Sequence, residues 1–246
     1  MLSIIYKPYA DISCITIRPD SDIKGIVFAY HGWTSCKDAL VELGVEIAKQ
    51  GLLVIMPDAF QHGERQISEI KTEDFPKVLW HTSQEFEGIL SEVQAIYGNQ
   101  LPIGMTGISM GGVLTAMLFT QYKCIHKAAI LMGTPNLTGF FKELTLQYTK
   151  SNVEDSFKAL NIPLMIFDMD LAKHIKDIDY RQLYFWHAKN DGVVPFKFTQ
   201  AFVEEATAKG YGSQIIFEVS EQEGHHVPHP VKRQAAKFLA ASLNNS

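Results

Sequence analysis

Three groups of residues, far apart in the chain, have the types needed for nucleophilic acyl chemistry. Gly107-Ile108-Ser109-Met110-Gly111 offers a serine flanked by glycines two positions either side. Asn190-Asp191-Gly192 offers a carboxylate, and Gly224-His225-His226 offers two candidate imidazoles. A serine hydroxyl is a poor nucleophile until a base takes its proton, and the base needs an acid to fix its tautomer. The chain supplies all three in the order Ser, Asp, His. Each is ordinary alone: Asn-Asp-Gly is also a turn former, and a loop histidine needs no explanation. The joint placement points to attack by Ser109 on an acyl carbon, with Asp191 and either His225 or His226 as its partners.

Such residues must be carried by rigid elements. The run Leu101 to Phe119 reads as a strand from Pro102 to Ile108, a sharp turn at Ser109, and a helix rich in small residues. This is the context in which a G-x-S-x-G turn exposes its hydroxyl at the end of a sheet. Strand-like apolar runs recur at Gly25–Tyr30, Leu52–Met56, Lys127–Met132, Leu183–Trp186 and Gln214–Val219, with an alternating run at Ile12–Arg18 that predicts an antiparallel strand. Helical spacing covers Ala39–Gln50, Ser83–Tyr97, Phe196–Lys209 and Pro230–Leu243, and a polar loop spans Asp58 to about Lys77. The alternation predicts an α/β fold, a mainly parallel, doubly wound sheet with helices on both faces. Asp191 then follows one strand and the two histidines follow the next, which brings both to the carboxyl edge of the sheet beside Ser109.

The connection from Met132 to Leu183 is far longer than a minimal crossover. Phe140, Phe141, Leu144 and Tyr148 share one face of a predicted helix, and Ser151-Asn-Val-Glu154 resembles a capping box opening another. Residues 135–180 are therefore expected to form a small helical cap over the serine within a single domain. Its aromatics Phe140, Phe141 and Tyr148 would contact substrate, or else pack the cap itself.

Composition narrows the partners. The 246 residues carry a formal charge of -5, with no basic stripe for nucleic acid or an anionic membrane surface. No apolar run approaches bilayer length. The first residues lack the basic and apolar blocks of a secretory signal, and three scattered cysteines suggest free thiols, so a cytoplasmic setting is expected. Asp58, His62, Glu64 and Arg65 are too irregularly spaced for a metal site; loop bracing through Arg65 and Asp58 is the better reading. Cys36 reads as a bystander thiol.

The motifs Tyr30-His31-Gly32-Trp33, Gly107–Gly111, Asn190-Asp191-Gly192-Val193-Val194-Pro195 and Gly224-His225 resemble the α/β-hydrolase superfamily from Ile12 to Leu243. Pro57-Asp58-Ala-Phe-Gln-His62-Gly63-Glu64-Arg65 is similar to a loop of dienelactone-hydrolase-like and prolyl-oligopeptidase-like esterases. The resemblance implies that the base follows a glycine, which favours His225. It also implies an oxyanion hole built from the Trp33 and Met110 N–H groups, with the His31 side chain bracing its loop. The implied activity is cleavage of small carboxylic esters through an acyl-enzyme, without metal or organic cofactor. Amide or thioester cleavage, or a silent fold that only binds ligand, stays open at this level, as does the oligomeric state.

Overall fold

One sheet of eight strands organises the molecule. A computed structural model describes residues 1–148 and 152–241. The strands are β1 (Leu2–Tyr9), β2 (Ile12–Pro19), β3 (Ile26–Tyr30), β4 (Leu53–Pro57), β5 (Ile103–Ile108), β6 (Ile125–Leu131), β7 (Gln182–Ala188) and β8 (Ile215–Ser220). They lie in the order β1-β2-β4-β3-β5-β6-β7-β8. β3 to β8 run parallel, and the β1–β2 hairpin joins them antiparallel through β4.

Strand alternation splits the interior in two. Along β3, Ile26, Phe28 and Tyr30 enter one core and Val27 and Ala29 the other. The first core is closed by α2 (Phe75–Tyr97), α3 (Met110–Gln121) and α6 (Phe196–Ala206); the second by α1 (Val41–Ala48) and α7 (His229–Ala240). Both faces of β3 to β7 are thus covered, which explains their apolar runs, while β8 at the sheet edge stays partly exposed.

The elements depart from expectation at two places. β1 carries no strong sequence signal, because it is the sheet edge and most of its side chains are exposed. α2 begins at Phe75 rather than Ser83, and Pro76 in its first turn needs no N–H partner there. Asn152 caps α5 (Val153–Ala159), accepting a hydrogen bond from the Asp155 N–H. Ser151 and the predicted helix end at Leu243 lie outside the described residues.

Between β6 and β7 the chain forms α4 (Leu137–Tyr148), α5 and three short 3-10 turns at Leu164–Met169, Leu171–Lys173 and Ile175–Ile178. Buried Asp170 holds the start of α4, its carboxylate accepting from Leu137 N at 3.1 Å and Thr138 N at 2.9 Å. The first two of these turns pack on α3.

The tightest joint is the β5–α3 turn. A Cβ at Gly107 would lie 2.1 Å from the Gly111 carbonyl oxygen, and one at Gly111 1.9 Å from that of Tyr30. Both obstacles are backbone and cannot swing aside. Gly111→Ala is therefore expected to lower folding stability by about 3 kcal/mol or more, or to prevent folding. Urea denaturation measures it; a variant within about 0.5 kcal/mol of the parent would refute the packing described.

Candidate functional site

Ser109 sits between β5 and α3 with φ 58° and ψ -115°, a backbone state unusual for a residue with a side chain. It is held there by its own N–H donating to Leu131 O at 2.9 Å and by Val113 N donating to its carbonyl at 3.0 Å. The resulting turn leaves the hydroxyl at the carboxyl edge of the sheet.

The loops after β7 and β8 bring the two partners to it. Asp191 Oδ1 accepts from Val193 N at 2.8 Å and Val194 N at 3.0 Å, so the carboxylate folds back on its own turn. His225 Nδ1 lies 2.9 Å from Asp191 Oδ1 and 2.8 Å from Oδ2, and its Nε2 lies 2.8 Å from Ser109 Oγ. A carboxylate only accepts, so Nδ1 carries the imidazole hydrogen and Nε2 is left to accept from the serine. Burial alone would raise the Asp191 carboxyl. Hydrogen bonds from His187, His225, Val193 and Val194 outweigh it and hold the group well below the usual carboxylate range. The charge that fixes the His225 tautomer therefore persists throughout the neutral range.

Ser109 opens into a cavity of about 400 Å³ whose walls include Gly32, Trp33, Met132, Val193 and His226. Met110 is the first residue of α3, so its N–H has no carbonyl four residues back within the helix. The helix start also favours negative charge. His226 thus lies on the cavity wall, while His225 alone of the pair bonds Ser109 and Asp191.

The segment carrying Trp33 is braced from below. His31 Nδ1 donates to Gly32 O at 2.8 Å and its Nε2 accepts from Ala59 N at 3.0 Å. His62 works alike: Nδ1 donates to Phe60 O at 2.9 Å, and Nε2 accepts from Thr34 N at 3.2 Å. Lys37, with 1% of its side chain exposed, pairs with buried Asp58 at 2.7 Å, and the Lys37 N–H donates to the same carboxylate at 2.9 Å. The bracing expected of Arg65 and Asp58 is redistributed. Arg65 reaches only the Asp58 carbonyl, at 3.1 Å, and its charge is met bidentately by Glu85. Neither Lys37 nor His187 stood out in the sequence: one lies in a polar loop and the other inside an apolar strand.

Phe140 and Phe141 follow the packing alternative and not the substrate-contact one. Phe140 and Phe141 are 4% and 1% exposed, and neither reaches the Ser109 cavity. Their rings pack edge-on against Phe75, and Phe141 also against Phe157 and Phe167. Phe141 instead lines a second apolar cavity of about 400 Å³ with Leu144, Phe157 and Leu160. The aromatic stripe is consumed by packing, because α4 lies against α5 and the start of α2. The side chain of Tyr148 lies outside the described residues.

Comparison with known proteins identifies the family and the fold. A family model described as "Prolyl oligopeptidase family" matches residues 83–244, well over half the chain, and one described as "Serine aminopeptidase, S33" matches 21–139. The chain belongs to the prolyl oligopeptidase family. It is 29% identical to YitV of Bacillus subtilis (strain 168) over 238 residues, covering 89% of each chain. It is 26% identical to "Esterase YjfP" of Escherichia coli (strain K12) over 204 residues, covering 79% of this chain and 81% of that one. The crystal structure of TT1662 from Thermus thermophilus has the same fold, with a TM-score of 0.79 and 19% identity over all of both chains.

The bracing histidines give a pH dependence of stability. Burial pushes the His31 imidazole down from 6.5 to about 4, and it lowers His62 in the same direction. Between those two values the unfolded chain binds a proton that folded His31 refuses, so stability falls with acid. For His31 the loss is up to about 1.4 kcal/mol per pH unit and levels off near pH 4, and His62 adds to it in the same direction. Denaturant titrations from pH 7 to 4 check this; a stability unchanged from pH 6.5 to 4.5 would contradict the neutral, accepting state of the two rings.

Proposed function

We propose that this member of the prolyl oligopeptidase family is a serine hydrolase of small carboxylic esters, with Ser109 as nucleophile, His225 as base and Asp191 as its orienting acid. One observation carries the reading: the unbroken run Ser109 Oγ, His225 Nε2, His225 Nδ1, Asp191, with contacts of 2.8 Å, then 2.8 and 2.9 Å. The esterase name of the Escherichia coli relative favours an ester substrate. The cavity, near the lower end of the usual range for small-molecule sites, favours a small one.

In this reading Ser109 Oγ attacks the ester carbonyl carbon while its proton passes to His225 Nε2. Charge moves to the carbonyl oxygen, which is met by the N–H groups of Trp33 and Met110; one such donor typically contributes about 3 kcal/mol to lowering the barrier. The tetrahedral adduct collapses, the carbon–alkoxide bond breaks, and His225 returns the proton to the departing alcohol. Water then attacks the acyl-Ser109 by the same route and releases the acid. Asp191 stays ionised and stabilises the imidazolium at both stages. Phe140 and Phe141 support the site at one remove through Phe75, whose ring centroid lies 5.4 Å from that of Trp33.

Ser109→Ala and His225→Ala should each lower kcat on p-nitrophenyl acetate by about 10⁴-fold or more, since triad members act as a unit. His226→Ala should keep most of it. If His226→Ala is the dead variant, or if Ser109→Ala keeps appreciable turnover, the assignment falls.

A further inference from the structure

His187, near the end of β7, is fully buried and takes no part in the reaction just described. Its two ring nitrogens face different surroundings. Nδ1 lies 3.1 Å from Thr199 Oγ1, whose one hydrogen is shared between that nitrogen and the Gly133 carbonyl 3.2 Å away. Nε2 lies 2.9 Å from Val194 O and 3.2 Å from Asp191 Oδ2. A carbonyl and a carboxylate both accept only, and two acceptors facing one nitrogen require that nitrogen to carry a hydrogen. The Phe196 ring, edge-on at 5.8 Å, closes the site on another side.

We infer that His187 is a positioning residue for the Asp191–His225 pair, its Nε2–H clamping the Val194 carbonyl and the Asp191 carboxylate together. The inference rests on the triad reading and extends it by one residue. The turn from Asp191 to Val194 is closed from inside by the Val193 and Val194 N–H groups, both on Oδ1. Nothing in that closure ties the turn to the sheet. The Asp191 N–H donates to Ala188 O at 3.2 Å and ties the start of the turn to β7; His187, also of β7, ties its far end at Val194 O and meets the Asp191 carboxylate itself. Oδ2 is thereby aimed at His225 Nδ1, 2.8 Å away. Without the clamp the turn could keep these backbone hydrogen bonds while its Val194 end and the Asp191 carboxylate shift together. His225 would then lose its alignment with Ser109, and shifts of about 1 Å at such sites cost on the order of 10²-fold in rate.

The chemistry separates a positioning role from simple packing. His187→Phe keeps a ring in the buried slot but removes the donor. His187→Gln keeps an amide N–H at about the reach of Nε2. The first should lower kcat on p-nitrophenyl acetate roughly 10- to 100-fold with KM little changed, and the second should recover most of that loss. Equal loss in both variants, or a folded His187→Phe enzyme with the parent's kcat, would overturn the role.

A measurement on the unsubstituted protein guards against variants that do not fold. In ¹⁵N-histidine-labelled enzyme, His187 is expected to hold a slowly exchanging hydrogen on Nε2; an Nε2 without a hydrogen would overturn the inference. A fluorophosphonate probe that fails to label Ser109 in that same protein would overturn the triad reading itself. Labelled Ser109 with a bare His187 Nε2 would leave the triad standing and remove the clamp alone.

Discussion

The site depends on one residue held in a backbone state it would not choose. Ser109 at φ 58° carries a strain on the order of 1–3 kcal/mol that must be outweighed by its surroundings. Two glycines make the turn sterically feasible, and the sheet makes it stable, through Leu131 on one side and the first turn of α3 on the other. In return the hydroxyl stands at the carboxyl edge, where the loops after β7 and β8 also emerge. The parallel order β5-β6-β7-β8 then brings an acid and a base from distant sequence to the serine.

Around that point the protein has aimed hydrogen-bond donors at the groups beside Ser109. Asp191 sits among two backbone N–H groups and two imidazoles, so its charge is retained despite burial. The Trp33 segment is fixed by two neutral histidines and by the buried Lys37–Asp58 pair. Breaking such a pair from one side leaves an unmet buried charge, which is why it holds the loop firmly even if its net contribution to stability is small. Under the proposed mechanism this rigidity suits an oxyanion site, whose donors must stand ready before charge develops.

Much of this was legible in the sequence, for reasons specific to each element. The β5–α3 turn announced itself because close approach leaves glycine as the only solution at two fixed positions. The parallel strands were legible because burial on both faces writes continuous apolar runs. β1 was not, because an edge strand exposed to solvent has no such constraint, and Pro8 and Lys7 blur it further. The start of α2 was hidden because a proline early in a helix reads as loop. Asp191 and the His225–His226 pair were placed by topology, since each follows a strand, and the choice of His225 came from the resemblance. His187 was hidden for the opposite reason: inside Leu183-Tyr-Phe-Trp-His-Ala188 it reads as one more core position. The cap aromatics stayed open between packing and substrate contact, because a stripe specifies only that a face is covered, not by what.

The central claim is that Ser109 becomes covalently acylated during turnover. Rapid mixing with a p-nitrophenyl ester, acid quench and peptide mass mapping test it directly. The account predicts a burst approaching one equivalent of p-nitrophenol, with the acyl mass on the peptide that contains Ser109. An acyl group found instead on Cys36, or steady hydrolysis with no acylated peptide under conditions where deacylation is slow, would contradict it.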